Sequence, residues 1–212
     1  RTVRCGRSEH CAVRVIDMAD HGVAGITCTV VSPRDTYHLT IPAPGEHMAY
    51  SAAIAVAVGE ELGLSTEEIT RGAASYEPAG SRMRVLRLRD GRLVLDDCYN
   101  ANPQSMRAAV EVLSSARGAY KVAVLGDMFE LGPLAPALHA GVGDYLGKAG
   151  IDCLVAVGEL ARHIHDAAQA AGVPECYYCP TKAEARPVLD GVVRPHATIL
   201  VKASRGMALE EL

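Results

Sequence analysis

Apolar and polar residues alternate through the first forty positions of the chain, as they do in strands that are buried on one side. The alternation falls into three runs, residues 11–16, 25–31 and 37–41. Turn-forming residues separate these runs, with His21 and Gly22 in the first gap and Ser32 and Pro33 in the second. The pattern predicts three strands at the edge of a sheet.

A helical pattern follows. Residues 47–62 form an alanine-rich run, and Ser65 stands three residues before Glu68, the spacing of a capping box at the start of a second helix. Residues 76–81 are then rich in Pro, Gly and Ser, which favour turns and linkers. We therefore place a domain boundary there, between a first domain of residues 1–80 and a second of residues 81–212.

The second domain alternates strands and helices. Asp90 and Gly91 lie between two strand-like runs, 83–88 and 93–97, and predict a β-hairpin. Further strands are predicted at residues 121–125, 153–157, 175–179 and 198–201. Helices are predicted at residues 103–115, 136–149, 159–171 and 182–192. This order predicts an α/β fold with a Rossmann-like, mainly parallel sheet and helices on both faces.

Composition narrows the class of protein. Of the 212 residues 49% are hydrophobic and 22% charged, as in soluble globular proteins, and the formal net charge is -4. Basic residues are scattered, and Phe129 is the single Phe in a chain without Trp, so nothing favours a nucleic-acid surface. The nearly uncharged run 48–59 is too short to cross a bilayer. We expect no nucleic-acid partner and no membrane insertion.

The seven cysteines are odd in number and irregularly spaced, which is typical of a protein in the reducing cytosol. Cys176 and Cys179 form a CxxC pair, but no second pair or histidine couple completes a set of four zinc ligands. We therefore expect a cytoplasmic protein with no metal site in this chain.

Ligands of open parallel sheets bind at the carboxyl ends of the strands, so the loops after the strands carry the candidate chemistry. The segment at the end of the predicted strand 93–97 and just after it contains Asp96, Asp97, Asn100 and Asn102. Carboxylates accept hydrogen bonds from ribose hydroxyls, and amides pair with donor and acceptor edges of a base. A structural alternative remains open, in which Asn102 caps the next helix and Asp97 closes a turn.

Two further loops contain charged residues. Gly126-Asp127 begins one of them, where glycine allows a close backbone approach and Asp127 could position an amine or simply close a turn. The last strand is followed by a loop that combines a lysine, a hydroxyl and a guanidinium, at Lys202, Ser204 and Arg205. Such a group suits a carboxylate or phosphate, although a solvated basic turn has the same composition.

Common catalytic signatures are missing from the sequence. It contains no GxxxxGK[ST] phosphate loop, no GxGxxG after a strand, no HExxH and no GxSxG. His163 and His165 are two positions apart and cannot share one face of a helix. A zinc hydrolase and a serine hydrolase are therefore disfavoured.

Three segments, taken in order, carry a resemblance: Asp-Cys-Tyr-Asn-Ala-Asn-Pro at 97–103, Leu-Gly-Asp-Met-Phe-Glu-Leu-Gly at 125–132 and Val-Lys-Ala-Ser-Arg-Gly-Met at 201–207. They resemble the C-terminal domain of the Mur ligases, and among these the ligases that add D-alanyl-D-alanine to a UDP-N-acetylmuramoyl-tripeptide. Residues 45–52 are similar to a segment that opens the late helices of the family's central ATPase domain, and residues 81–83 resemble its interdomain Gly-Arg-Met. Five residues depart from the family pattern: Met48, Ser51, Cys98, Pro133 and Ala203.

The resemblance implies an activity and a set of ligands. ATP would phosphorylate the tripeptide carboxylate, and the amine of D-alanyl-D-alanine would attack the acyl phosphate. The first domain would be the strand-and-helix end of a P-loop-type central domain. The phosphate loop, the Mg²⁺ ligands, the main catalytic residues and the uridine-binding domain would precede this chain. We accordingly expect a monomeric piece of the enzyme that has no activity alone.

The resemblance also assigns residues. Arg82 and Asp97 would hold the ribose and phosphates of the nucleotide, and Asn100, Asn102 and His47 would lie near it. Four residues would face the dipeptide or the acyl phosphate: Asp127, Lys202, Ser204 and Arg205. Two alternatives remain, a nucleotide- or peptide-binding module without catalysis and a sister Mur-type amide ligase with another amino-acid substrate.

Overall fold

The computed structural model describes residues 2–116 and 120–212. The chain forms two compact units, of which the first ends at Glu77 and the second runs from Pro78 to Leu212. The division thus falls slightly before the boundary expected from the sequence, at residue 80. The assignment of the first unit to a central ATPase domain stays a prediction.

The first unit is a four-stranded sheet with two helices. Its strands are β1 (Cys5–Gly6), β2 (Val13–Asp20), β3 (Ile26–Val31) and β4 (Thr36–Ile41). Its helices are α1 (Met48–Glu61) and α2 (Thr66–Ala74). The strands lie in the order β1-β2-β3-β4, with β1 parallel to β2 and the other pairs antiparallel. The three predicted strands and both helices are confirmed, whereas the two-residue β1 was not predicted.

Alternation along the strands builds the core of this unit. In β4 every second residue is buried, and these inward side chains pack with small residues of α1 such as Ala49 and Ala53. Tyr37 is fully buried, and its hydroxyl donates to Glu60 Oε1 at 2.8 Å, so its polar end is satisfied. The predicted capping box is also present: Glu68 N–H donates to Ser65 Oγ at 3.3 Å, and Ser65 N–H donates to Glu68 Oε2 at 2.8 Å.

In the second unit the described residues form six strands and four α-helices. The strands are β5 (Arg84–Arg87), β6 (Leu93–Asp96), β7 (Lys121–Gly126), β8 (Cys153–Val157), β9 (Glu175–Cys179) and β10 (Thr198–Lys202). The helices are α3 (Pro103–Ser115), α4 (Ala135–Lys148), α5 (Ala161–Ala170) and α6 (Lys182–Val192). All the strands and helices predicted for this region are confirmed.

The strands of the second unit lie in the order β5-β6-β10-β7-β8-β9. The hairpin pair β5–β6 is antiparallel, and the other neighbours are parallel. Val122 and Val155 belong to the core cluster that contains α6 residues. Ala123 and Leu154, which point the other way, are just as deeply buried, and α3 and α5 contact the sheet there. The predicted α/β class, with helices on both faces of a mainly parallel sheet, is therefore confirmed.

The CxxC pair lies in β9. Positions three apart in a strand face opposite sides of a sheet, so the thiols of Cys176 and Cys179 diverge. Burial raises the pKa of both thiols, which keeps them protonated and unreactive at neutral pH. Within residues 2–116 and 120–212, no three His, Cys, Asp or Glu side chains are grouped as a metal site. None of the described helices is both long and apolar enough to span a membrane.

Candidate functional site

The three polar segments singled out in the sequence lie side by side at one edge of the second sheet. β6 ends at Asp96, β10 at Lys202 and β7 at Gly126. Because β10 pairs in parallel with both β6 and β7, all three strands end at the same edge and the loops that follow them are neighbours. Ligands of open α/β sheets bind outside the carboxyl ends of the strands, so this edge is the candidate site.

Asp97, the first residue after β6, is bound by groups from two other segments. Its Oδ2 accepts a hydrogen bond from Lys202 Nζ at 2.6 Å, and its Oδ1 accepts one from Met83 N–H at 3.0 Å. The side chain of Lys202 is 2% exposed and that of Asp97 is 17% exposed. Lys202 Nζ also donates to the carbonyl oxygen of Asn100 at 2.8 Å. The lysine therefore holds both the carboxylate and the loop that contains it.

Arg82 is exposed, and its guanidinium carbon lies over an aromatic ring. Its Cζ is 3.6 Å from the centroid of the Tyr99 ring, and Tyr99 is itself 46% exposed. Tyr99 N–H donates to the carbonyl oxygen of Ser81 at 2.9 Å, which joins the two segments. Met83 has a left-handed φ of 52°, an unfavourable conformation for a residue with a side chain. Its N–H bond to Asp97 stabilises that turn, and the contact with the Tyr99 ring holds the guanidinium beside the loop.

The two asparagines of the loop make local contacts. The Oδ1 of Asn102 accepts from Ser105 N–H at 2.8 Å, and Asn102 N–H donates to Ser105 Oγ at 3.0 Å. Asn102 is therefore the N-cap of α3, the structural alternative that the sequence left open. Asn100 is exposed, and its Oδ1 accepts from Ala101 N–H at 2.9 Å. A nucleotide contact from either residue stays a prediction.

Asp127 lies in the loop after β7 and is 6% exposed. Its Oδ1 accepts a hydrogen bond from Ala161 N–H, the first residue of α5, at 2.7 Å. A carboxylate at a helix N-terminus stabilises the helix by satisfying a free N–H group and interacting with the helix dipole. Gly158, at φ +117°, packs against this carboxylate: a Cβ there would lie 2.5 Å from Asp127 Oδ1. The predicted substrate contact of Asp127 is untested, and its described contacts stabilise the fold.

Ser204 joins the loop after β10 to the loop after β7. Its Oγ accepts from Phe129 N–H at 2.8 Å, and its own N–H donates to the Asp127 carbonyl at 3.0 Å. The loops also touch at Gly126, where an added Cβ would be 2.7 Å from the Ala203 Cβ. Only glycine allows this approach, so the two loops form one continuous surface.

His139 supports the same loop and was missed by the sequence reasoning. It is fully buried in α4; its Nε2 is 2.9 Å from Met128 N, and its Nδ1 is 2.7 Å from the Ala135 carbonyl oxygen. Since Met128 N–H must donate, Nε2 is the unprotonated nitrogen and Nδ1 carries the hydrogen. Burial lowers the pKa of His139, which favours this neutral form. The available signal was its helical spacing from Ala135 and Val142, which places it on the apolar face.

Arg205 and His47 are the two remaining predicted residues. The side chain of Arg205 is 60% exposed and pairs with Glu210. His47 belongs to the first unit, where it is exposed and directly precedes α1. Beside α1 is an apolar groove of about 320 Å³ between α1, α2 and β4, whose lining includes Met48, Ser51 and Tyr76. Arg205 is therefore accessible to a ligand in the second unit, as is His47 in the first.

The sequence from residue 81 to residue 205 matches the family model described as Mur ligase, glutamate ligase domain. The chain belongs to the Mur ligase family. More specifically, it is similar to the UDP-N-acetylmuramoyl-tripeptide–D-alanyl-D-alanine ligase of Escherichia coli (strain K12), with 37% identity over 89% of this chain and 41% of that protein. The ligase of the same name from Bacillus subtilis (strain 168) is 33% identical over 81% of this chain and 38% of that protein.

Solved structures lead to the same group of proteins. Crystal structure II of MurF from Acinetobacter baumannii superposes with a TM-score of 0.87 and 31% identity, over 96% of this chain and 45% of that chain. A MurF ligase from Thermotoga maritima in complex with ADP shares the fold, with a TM-score of 0.79 at 21% identity over 97% of this chain and 46% of that chain. The chain thus spans about two-fifths of the length of the curated relatives that it matches.

Proposed function

We propose that this chain is part of an ATP-dependent ligase that joins D-alanyl-D-alanine to a UDP-N-acetylmuramoyl-tripeptide in peptidoglycan precursor synthesis. Two findings support the proposal. The relatives at 37% and 33% identity carry the name of that reaction. The three segments that resemble these ligases in sequence also lie together at one sheet edge.

The observation that carries the nucleotide part is the arrangement of Asp97 and Arg82. A carboxylate has about four lone-pair positions, and Asp97 uses one on each oxygen for Lys202 and Met83. Its partial exposure leaves it able to accept from the hydroxyls of a ribose. Arg82, exposed and oriented by Tyr99, is suited to a phosphate or to the ribose beside it. Asn100 and Asn102 are proposed to lie close to the bound nucleotide.

The dipeptide part is carried by Arg205. Its exposed guanidinium follows β10, on the loop joined by Ser204 to the loop after β7. A guanidinium can hold the carboxylate of D-alanyl-D-alanine with two parallel hydrogen bonds. To bind substrate in this way, Arg205 would exchange its exposed pairing with Glu210, and exposed ion pairs contribute little stability.

The proposed reaction has two steps. The tripeptide carboxylate attacks the terminal phosphorus of ATP, and ADP leaves as an acyl phosphate forms. The dipeptide amine then attacks the acyl carbon, loses a proton, and phosphate leaves as the amide bond forms. The described residues of this chain contribute positioning of nucleotide and dipeptide. None of them forms a group suited to Mg²⁺, so we assign them no step through the metal.

A hybrid enzyme tests the proposal. In it, this chain replaces the aligned part of the Escherichia coli relative, and ADP release is measured with the UDP-linked tripeptide and D-alanyl-D-alanine. We expect release that depends on both substrates. We expect R82A to lower kcat/KM at least about tenfold. R87A is the matched control, because Arg87 is an exposed arginine of β5, and should leave the rate within about twofold.

Other results would overturn this function. A folded hybrid that releases no ADP in response to the dipeptide would contradict it. Faster release with a different amino acid would favour a sister amide ligase. The 212-residue chain alone is expected to make no product, while ADP added to it should shift the NMR signals of Arg82 and Tyr99. Binding of ADP with an inactive hybrid would favour a module without catalysis.

We further propose that the chain acts as a monomer in the cytoplasm, where ATP and the UDP-linked substrate are found. Light scattering on the purified chain tests its oligomeric state. A mass that grows to twice that of one chain over the concentration range would contradict the monomer.

A further inference from the structure

We propose that Lys202 is a positioning residue of the nucleotide site, which acts through Asp97 and does not itself bind substrate. The inference rests on the proposed nucleotide role of Asp97 and Arg82. It gives Lys202 a different role from Arg205, although both follow from the same short segment of sequence.

The burial of Lys202 is the first argument. At 2% exposure its ammonium group is removed from water, and a buried charge is tolerated in a protein only when it is paired and hydrogen-bonded. Its described partners are the Asp97 carboxylate at 2.6 Å and the Asn100 carbonyl at 2.8 Å. The positive charge is therefore neutralised inside the protein. A dipeptide carboxylate could reach the ammonium group only by breaking its bonds to Asp97 and Asn100.

The second argument is what these bonds connect. Lys202 ends the central strand β10, whereas Asp97 and Asn100 belong to the loop after β6. Tyr99 lies between those two anchored positions, and its ring supports the Arg82 guanidinium. The other oxygen of Asp97 binds Met83 N–H, next to Arg82. One ammonium group thus determines the position of the carboxylate, the ring and, through them, the guanidinium.

Lys182 provides a matched control. Its Nζ also binds one carbonyl and one carboxylate, those of Ala208 at 3.2 Å and Glu211 at 2.6 Å, but it is far more exposed than Lys202. K182M therefore removes the same kind of contacts from a lysine outside the proposed site. Methionine nearly preserves the length of the side chain in both variants.

The first experiment needs no ligand. In K202M we expect the Met83 amide to exchange with deuterium at least about tenfold faster, and the NOE between Arg82 and the Tyr99 ring to be lost. Amides of β7 and β8 should stay protected, and K182M should change neither signal. A folded K202M with an unchanged Met83 amide and an intact NOE would overturn the proposal. If K202M does not fold, K202Q is measured by the same criteria. Its amide carries no charge but can still donate a hydrogen bond to the loop.

The second experiment measures ADP affinity in a double-mutant cycle, with each variant placed in the hybrid enzyme described above. We expect K202M and D97A each to weaken ADP about tenfold, as loss of a group that orients a ligand-binding side chain does. The double variant should be no weaker than D97A alone, because Lys202 acts through Asp97. K202R, which keeps a cation beside Asp97, should recover affinity to within about threefold of the unchanged chain.

The outcomes of the two experiments are separable. Additive losses in the cycle would show that Lys202 contacts the nucleotide independently and would overturn its positioning role. If the hybrid enzyme that carries the unchanged chain binds no ADP, the proposed nucleotide function is contradicted, while the exchange of the Met83 amide still decides whether Lys202 orders the loop.

Discussion

Asp97 and Asp127 occupy equivalent places in the sheet and have different surroundings. Each is the first residue after a parallel strand, and the two strands are separated only by β10. Asp127 is more deeply buried, accepts the first N–H of α5 and is covered by Gly158. Asp97 keeps part of its surface exposed beside an exposed arginine.

The difference leads us to expect that an acidic residue at a strand end contributes to stability in one loop and to ligand binding in the other. In the loop after β7 the carboxylate is buried and accepts a hydrogen bond from a helix terminus, so its removal should act on stability. In the loop after β6 the buried Lys202 supplies the counter-charge, and the exposed part of the Asp97 carboxylate stays accessible to a ligand. The two loops therefore predict opposite responses to mutation.

The largest expected effect is at Gly158. G158A should lower the free energy of unfolding by about 2–5 kcal/mol, because the left-handed backbone costs about 1–2 kcal/mol and the clash with Asp127 adds about 1–3 kcal/mol. Urea denaturation measures the loss. Gly172 has φ +87° but open space around it, so G172A should show only the backbone cost. Equal losses in the two variants would mean that Gly158 does not pack tightly against Asp127.

The next largest effect is expected at His139. H139A should lower the free energy of unfolding by about 1–3 kcal/mol, because the buried Met128 N–H loses its acceptor. Burial holds the pKa of His139 in the folded chain below its ordinary value of 6.5. As the pH falls, the unfolded chain therefore takes up the proton first. This contribution to stability is complete above about pH 6.5 and is lost as the pH falls toward the lowered pKa.

Urea denaturation across about pH 5 to 7.5 tests the histidine contribution. The pH dependence should shrink in H139A and persist in H10A, because His10 is exposed in the first unit and is not among the groups that lower the pKa of His139. A pH dependence that is unchanged in H139A would contradict the assignment of the neutral form.

The two aspartates can be compared directly with ADP. D97N should weaken ADP about tenfold, which is about 1.4 kcal/mol, because the amide accepts from ribose hydroxyls less strongly than the carboxylate. D127N should leave the affinity within about twofold and lower only the stability. Calorimetric or NMR titration measures both. Equal weakening by the two substitutions would remove the distinction between the loops.

The smallest effect is expected at the N-cap of α3. N102A should cost about 1 kcal/mol of stability, similar to S65A at the other capping box. ADP affinity should fall by less than about threefold, since the Asn102 amide is engaged by Ser105. A loss as large as that of D97N would give Asn102 a direct part in binding the nucleotide.

The sequence was sufficient for local structure. The alternation along β4 and the helical spacing of α3 predicted both elements, since periods of 2 and 3.6 residues depend only on neighbours along the chain. The capping box at Ser65 was readable for the same reason. The short β1 was missed because two residues, Cys5 and Gly6, cannot display an alternation.

The sequence was not sufficient for partners that are distant along the chain. Lys202 was grouped with Ser204 and Arg205 because the three are adjacent, but its ammonium binds Asp97, more than a hundred positions earlier. That pairing depends on β10 lying between β6 and β7, and strand order leaves no local pattern. Residue adjacency predicted which loops form the site, and topology determined which side chains remain exposed there.

The position of β10 also has a consequence for folding during synthesis. It follows every other strand of its sheet in the chain and yet lies between β6 and β7. Until the ribosome has released it, both of those strands have an unpaired edge, and such edges promote association between chains. The late insertion closes both edges and brings Lys202 to Asp97 in the same movement. We therefore expect a nascent chain to complete the loop after β6 at the same stage at which both strand edges become paired.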